Sequence, residues 1–390
     1  MLPSLSALRR RRHALLPPRL LLAVLLPPLL FLSGCRPQEQ GADGVTEVIG
    51  QTMGTFYKVS IYGPSPLTQQ ELRHEAEQAF AQVINAISTF DENSEISRFN
   101  HAPTTEPFEI SPYLADVIEY GRLECLRLQG AMDFTVGPLV DLWGFGPEGQ
   151  RSRIPSEEEL QQARRVVGID KYDLERTQDG KAYLTRTDPG VRLDLSTIGE
   201  GMGVDLLYDR LFALGVKNFL VSVAGASKGL GVNAKGVPFR IGIEDPDFAG
   251  RSGVHAVVCP QGMAMSTAGS YRNYFERNGV RYSHIIDPAT GHPIEHRTVS
   301  VTVVARSAVI ADAIDTGLMV MGAQKALEWA DQHEEAVYVI EVGDDGQLHA
   351  SWSKNFEQYL KCSQHEEAVY VIEAGDDGQL HASWSKNSEQ

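Results

Sequence analysis

The chain reads as a mixed α/β protein of the α+β kind, with two intertwined lobes of mixed sheets covered by helices. Three observations carry that reading. Apolar runs of period two and of helical period follow one another along most of the chain, cap and turn signals separate them, and no Pro- or Ser-rich linker divides it. At 390 residues, 42% hydrophobic and 22% charged, it holds enough apolar material for a full core.

Taken in order, Thr55 to Ile61 alternates as a strand, and Ala76, Phe80, Val83, Ile84 and Ile87 fall at helical spacing between Leu67 and Phe90. Ser111-Pro112 puts a cap and a proline at a helix start that Gly130 ends. Ser156 and Glu159 form a capping box for a helix through Val167. Strands flank Asp179-Gly180, a short strand covers Val191 to Leu195, and a helix runs from about Glu200 to Leu214, closed by Gly215. Further strands are expected at Asn218 to Val223, Phe239 to Ile243, Val254 to Cys259, Tyr282 to Ile286 and Val299 to Ala305. A helix opening at Asp312 and another over Ala323 to Ala330 follow.

Both ends stand apart from this pattern. Arg9 to Arg12 and Arg19 precede an apolar run from Leu20 to Leu32, too short to span a bilayer, that ends in Leu32-Ser33-Gly34-Cys35. That tetrapeptide resembles the lipobox of bacterial lipoproteins, which implies cleavage before Cys35, acylation of its thiol, and a lipid anchor on the periplasmic side of a membrane, most simply the inner one. Residues 1–34 are then a signal peptide, 35–44 a polar tether, 45–360 the catalytic domain and 361–390 an extension. Losing the signal removes five arginines and no acid, taking the formal charge from −16 to −21. The extension belongs to a direct repeat: Gln332 to Gln358 and Gln364 to Gln390 match at 25 of 27 positions, differing at Val342/Ala374 and Phe356/Ser388. Each copy reads as a hairpin around Asp-Asp-Gly; the first completes the fold and the second is supernumerary.

An acidic chain without a basic stripe excludes nucleic acid as a partner. Four cysteines without C-x-x-C spacing exclude a zinc or redox motif; Cys125 reads as a core residue, and an oxidising compartment permits a bond between Cys125 and Cys259 without requiring one.

Chemistry concentrates between Tyr282 and Thr316. Asp312, Asp315 and Thr316 lie at i, i+3 and i+4, one face of a helix, with oxygen ligands of the kind Mg²⁺ prefers. The plain alternative is that Asp312 caps the helix and Asp315 is solvated. Upstream, Ser283-His284-Ile285-Ile286-Asp287 runs into a turn, with His284 able to move a proton and Asp287 able to orient it. The glycines of Gly199-Glu200-Gly201-Met202-Gly203 allow either approach of an anion to a helix start or tight helix packing.

Six motifs occur in order: Thr52-Met-Gly-Thr, Ala131-Met-Asp-x-Thr-Val-Gly-Pro-Leu-Val-x-Leu-Trp-Gly-Phe-Gly, Asp194-Leu-Ser-Thr-x-Gly-Glu-Gly, Ser266-Thr-Ala-Gly-Ser-Tyr, Ser283-His-Ile-Ile-Asp-Pro-x-Thr-Gly and Ala311-Asp-Ala-x-Asp-Thr. Together they resemble the ApbE-type FAD:protein FMN transferases over roughly residues 45 to 360. The resemblance implies that FAD is bound with Mg²⁺ and that FMN is joined through its phosphate to a Thr or Ser of an acceptor protein while AMP leaves. It implies flavin or adenine contacts at Met53, Phe90, Ala131, Met132, Asp133, Asp194, Glu200 and Ile286. It implies metal ligands at Thr197, Asp312, Asp315 and Thr316, with Thr197 and Asp315 binding through side-chain or backbone oxygen. Acceptors would be exported or membrane proteins bearing a Ser/Thr-Gly-Ala-Thr-like motif, redox-pump subunits among them, because this chain has no such motif of its own. Hydrolysis of FAD to FMN and AMP, or flavin binding without turnover, are the alternatives.

The chain departs from the family pattern twice. Val223-Ala224-Gly225-Ala226 stands where the family has a Gly-Gly pair, and Phe90 where many relatives have Tyr. If the Ala224 position needs positive φ, its Cβ costs about 1 kcal/mol.

Overall fold

The computed structural model describes residues 44–149, 153–246, 253–361, 369–374 and 380–385, the last two by backbone alone. Cys35, the expected signal peptide and all but the end of the expected tether lie outside the described residues. An eight-stranded sheet organises the chain. Across it lie Val45–Thr52, Thr55–Tyr62, Phe219–Val223, Ala226–Leu230, Ala264–Gly269, Thr298–Ala305, Ala336–Val342 and Leu348–Trp352, every neighbouring pair antiparallel. Antiparallel pairing throughout makes this an α+β fold, since parallel neighbours would need crossover helices.

Alternation along the strands divides two cores. Val301 and Val303 face a helical layer, whereas Val304 joins Leu220, Met265 and Tyr338 on the opposite face. Gln69–Ile87, Pro112–Arg127, Gly199–Ala213, Ala308–Met321 and Ala323–Gln332 build the helical layer, directly or through one another. A second, three-stranded sheet orders Phe108–Ile110, Ala182–Arg186 and Tyr172–Arg176. Its Ile110, Leu184 and Tyr172 bury into the same cluster as Ile314 and Leu318, so the lobes share one core.

Local signals placed several ends. Ser111 accepts from the Leu114 N–H with Pro112 at the first helical position, and Ser156 and Glu159 form the expected capping box, although that helix stops at Arg164. The repeat forms two hairpins of matching register: Tyr338 faces Trp352 in the first, and Tyr370 faces Trp384 in the second. The first hairpin ends the main sheet, whereas the second meets the strand Ile241–Glu244 at the single register point Tyr370 to Ile241.

Three expectations are corrected, and one pairing left open is decided. Val191 to Leu195 forms no strand and pairs with none among the described residues. The strand expected to reach Ile286 spans Val280–Ser283, because the chain turns to give Ile286 an isolated bridge to Pro293. The helix expected to open at Asp312 begins at Ala308, one turn earlier, capped at Ser307. Cys259 is disulfide-bonded while Cys125 is a free, buried thiol, so these two do not pair.

Candidate active site

The helices Gly199–Ala213 and Ala308–Met321 meet so closely that a Cβ on Gly201 would lie 2.5 Å from the Ala308 carbonyl oxygen. On Gly203 it would come within 3.1 Å of Met53 Cε, and on Gly199 within 3.3 Å of Ile87 Cδ1. The glycine run is therefore packing, and the free amides expected for an anion are largely taken. Gly199 N–H donates to the Ser196 carbonyl, and Gly201 N–H donates to Asp312 Oδ2 at 2.7 Å. The two helices cap each other: Asp205 accepts from Ser307 Oγ at 2.6 Å and from Val309 N–H at 3.0 Å, its other oxygen 2.7 Å from Lys228 Nζ.

Asp312 thus caps a helix, but the neighbouring one, and Asp315 is 1% exposed rather than solvated. Ser266 Oγ donates to Asp312 Oδ1 at 3.3 Å, and Thr316 Oγ1 donates to Asp315 Oδ1 at 3.2 Å. Burial, and then mutual repulsion with Asp315 and Glu200, pushes the Asp312 carboxyl well above its ordinary range. Burial does the same to Asp315, and it raises Glu200 to about 7 against an opposing hydrogen bond from Gly225 N–H. Three carboxylates so placed repel one another, a repulsion that proton uptake or a bound cation would relieve.

Two oxygens of this group, Asp315 Oδ2 and Thr197 Oγ1, are buried and have no hydrogen-bond partner among the described residues. Among the described residues no three His, Cys, Asp or Glu side chains form a ready metal cage. A hard cation sharing phosphate oxygens needs fewer protein ligands, so two aspartates with Thr197 and Thr316 fit a divalent ion.

The residues expected to contact flavin lie on several different elements. Met53 and Gly54 form the turn between the first two strands at φ 49° and 73°, a left-handed pair that usually holds Asn-Gly. That strain seats the Met53 thioether against the Gly199 and Gly203 faces. Phe90 is 69% exposed, a ring available for stacking. Ala131 packs at the core edge, Met132 points into the core, and Asp133 caps the short helix Phe134–Val136 through Thr135 N–H and Oγ1. Asp194 N–H donates to the Phe134 carbonyl at 2.7 Å, joining two of the sequence motifs. Ile286 is buried beside Leu139 and Trp143, and Trp143 Nε1 donates to Gly291 O at 2.8 Å.

Asp287 does not orient His284. Its Oδ1 accepts from Ala289 N–H at 2.8 Å inside its own turn, whereas His284 Nδ1 lies 2.9 Å from the Asn273 carbonyl oxygen. A carbonyl only accepts, so Nδ1 carries the proton and Nε2 is left as the basic atom. Burial lowers the His284 pKa, the Asn273 bond opposing it.

A cavity of about 530 Å³ lies on the far face of the main sheet, lined by Leu220, Phe239, Ile241 and Met263, apart from all these groups.

Comparison with known proteins bears on this arrangement. A model of the ApbE family matches residues 53–340. The chain belongs to the ApbE family. Among curated relatives, the FAD:protein FMN transferase of Vibrio cholerae serotype O1 is 42% identical over 343 residues, covering 86% of this chain and 98% of its own. The enzyme of that name from Escherichia coli K12 is 40% identical over 341 residues, covering 86% and 96%. The solved flavin transferase ApbE from Vibrio cholerae superposes with a TM-score of 0.74 at 38% identity, covering 81% and 99%. The apo flavinyl transferase ApbE of Pseudomonas stutzeri gives 0.73 at 35%, covering 82% and 98%.

Within this ApbE fold, sequence reasoning missed Ser266, Asp205 and Asn273. Ser266 sat in a quoted motif and could have been found. Asn273 acts through its carbonyl, which no side-chain pattern reveals.

Proposed function

We infer that this protein transfers FMN from FAD to a hydroxyl of an acceptor protein, releasing AMP. The observation that carries the reading is the buried pair Asp312 and Asp315 beside the half-buried Glu200, with the unpartnered Asp315 Oδ2 and Thr197 Oγ1. Thr197, Asp312, Asp315 and Thr316 would hold Mg²⁺, which when bound supplies positive charge to the pyrophosphate oxygens. Met53 and Phe90 border the ring system, and Asp194 holds its polar edge.

His284 Nε2, fixed by the Nδ1–H bond to Asn273, takes the proton of the acceptor Thr or Ser. The acceptor oxygen then bonds to the FMN phosphorus as the bond to the AMP oxygen breaks, so one phosphoester forms and one anhydride is lost. Glu200, held by Gly225 N–H at 3.2 Å, keeps the hairpin turn at Ala224 against the site. Acylation at Cys35 would tether the enzyme to the periplasmic face of the inner membrane, in reach of exported acceptors. Among the described residues no helix is long and apolar enough to cross a membrane.

The test is incubation of the protein with FAD, Mg²⁺ and a domain carrying an acceptor Thr. Transfer predicts yellow fluorescence bound covalently to the acceptor; AMP without label means hydrolysis, and intact bound FAD means a carrier.

A further inference from the structure

Asp194 and Thr197 stand on the segment Val191–Thr197, a strap whose first half pairs with no strand among the described residues. Val191, Leu193 and Leu195 are fully buried, so its backbone polar groups need partners from elsewhere. Asn100 supplies them. Its Nδ2 donates to the Leu193 carbonyl at 2.8 Å, and its Oδ1 accepts from the Leu193 N–H at 2.8 Å. One carboxamide, 93 residues away in sequence, thereby copies the paired bonds of a neighbouring strand.

Asn100 is itself seated by Arg186, a guanidinium 4% exposed. Arg186 donates to the carbonyls of Asn100 at 3.3 Å, Thr104 at 3.1 Å and Val191 at 2.9 Å, and also to that of Ala102. The Phe99 ring lies 4.7 Å from its central carbon. One cation thus ties the end of the helix Glu95–His101 to the start of the strap. Asn100 also borders a recess of about 20 Å³ together with Thr89, Gly137 and Asp194. The amide therefore lies beside a recess that Asp194 also lines, and not deep in the core.

We propose that Asn100 is a positioning residue for flavin and cation binding: its carboxamide, seated by Arg186, sets the strap that presents Asp194 on one side and Thr197 on the other. The proposal rests on the transfer reading for the identity of the ligands. An amide that only satisfied buried backbone would affect folding alone; one that sets the strap must alter both ligand constants together, because Asp194 and Thr197 move with Leu193.

The test uses the full-length protein in detergent, with FAD binding followed by flavin fluorescence and, in the presence of a domain carrying an acceptor Thr, AMP release followed against Mg²⁺. For Asn100→Ala the FAD dissociation constant and the half-saturating Mg²⁺ concentration should each rise about tenfold, as loss of an outer partner does at metal sites. At saturating FAD and Mg²⁺, kcat should stay within about twofold, the signature of lost binding rather than lost chemistry. Asn100→Asp keeps the acceptor for the Leu193 N–H and loses the donor to its carbonyl, so it should fall between. Unchanged ligand constants in either folded variant, with or without a lower Tm, overturn the proposal. Should Asn100→Ala fail to fold, Asn100→Asp decides it by the same constants. A wild-type protein that binds FAD but releases no AMP would refute transfer, and the FAD constants would still decide the role of Asn100.

Discussion

Asp315 presents one buried carboxylate oxygen without a hydrogen-bond partner among the described residues, although the Ser266 hydroxyl stands near enough to the carboxylate to favour its charged form. Replacing it with Asn removes the charge while retaining the oxygen bonded by Thr316, so activity and stability should move in opposite directions. Asp315→Asn should lower Mg²⁺-dependent AMP release by about 100-fold. It should also raise the Tm of the metal-free protein, because a buried charge is relieved. Retained activity, or a lower Tm, would remove Asp315 from the cation site. Asp312→Ala should also abolish release, but it strips the Gly201 amide of its partner, so about 1 kcal/mol of stability goes with it. His284 gives a different signature. Its neutral ring is favoured down to a pH below the ordinary histidine value of about 6.5. If it is the base, the acidic limb of kcat/KM for transfer lies below that pH and vanishes in His284→Ala while FAD binding persists. The sign for stability agrees: below the unfolded value the unfolded chain binds the proton better, so this contribution is lost as pH falls towards the folded value. A limb centred above 6.5 that survives the substitution would assign the proton transfer elsewhere.

At the level of elements, the hairpin Val223-Ala224-Gly225-Ala226 tests the most visible departure from the family. Ala224 sits at φ 42°, at the first central position of a two-residue turn, where both favoured turn types take positive φ. Ala224→Gly should therefore stabilise the protein by about 0.5–1 kcal/mol in a thermal melt, and a lower Tm would show that the turn is unstrained. Gly201→Ala should do the reverse, forcing a methyl against the Ala308 carbonyl for about 1–3 kcal/mol, with Mg²⁺ affinity falling as Asp312 shifts. These cases also show what the sequence could reveal. Caps at Ser111 and Ser156 were legible because their partners lie three residues away. The start of the aspartate helix was not, because Asp205, 102 residues from Ser307, bonds it from another helix. The alternation of Val191, Leu193 and Leu195 was genuine, but alternation reports burial, and the bonds that a strand would supply come from Asn100 and Arg186. The one-face spacing of Asp312, Asp315 and Thr316 placed them on one helix correctly. The nearness of Asp287 to His284 in sequence misled, since a tight turn uses the Asp287 carboxylate locally.

For the whole molecule, the motif order gave the family, and the antiparallel sheet explains why distant motifs converge: Trp143 bonds Gly291, and Gly201 bonds Asp312. The family model ends at residue 340, before the second copy of the repeat. Phe356 is fully buried between Tyr338 and Tyr359 in the first copy, whereas the second has Ser388 at the matching position. Truncation after Ser363 should leave AMP release unchanged and shift Tm by no more than about 2 °C, the scale of a sub-kcal/mol change in a chain of this size. A larger fall would make the second hairpin part of the fold. The most direct measurement of the central claim is the intact mass of an acceptor domain after reaction with this protein, FAD and Mg²⁺. The transfer reading predicts a gain equal to FMN less water, matched one-to-one by AMP and absent when the acceptor Thr is replaced by Ala; AMP formed at the same rate with the acceptor mass unchanged would contradict it.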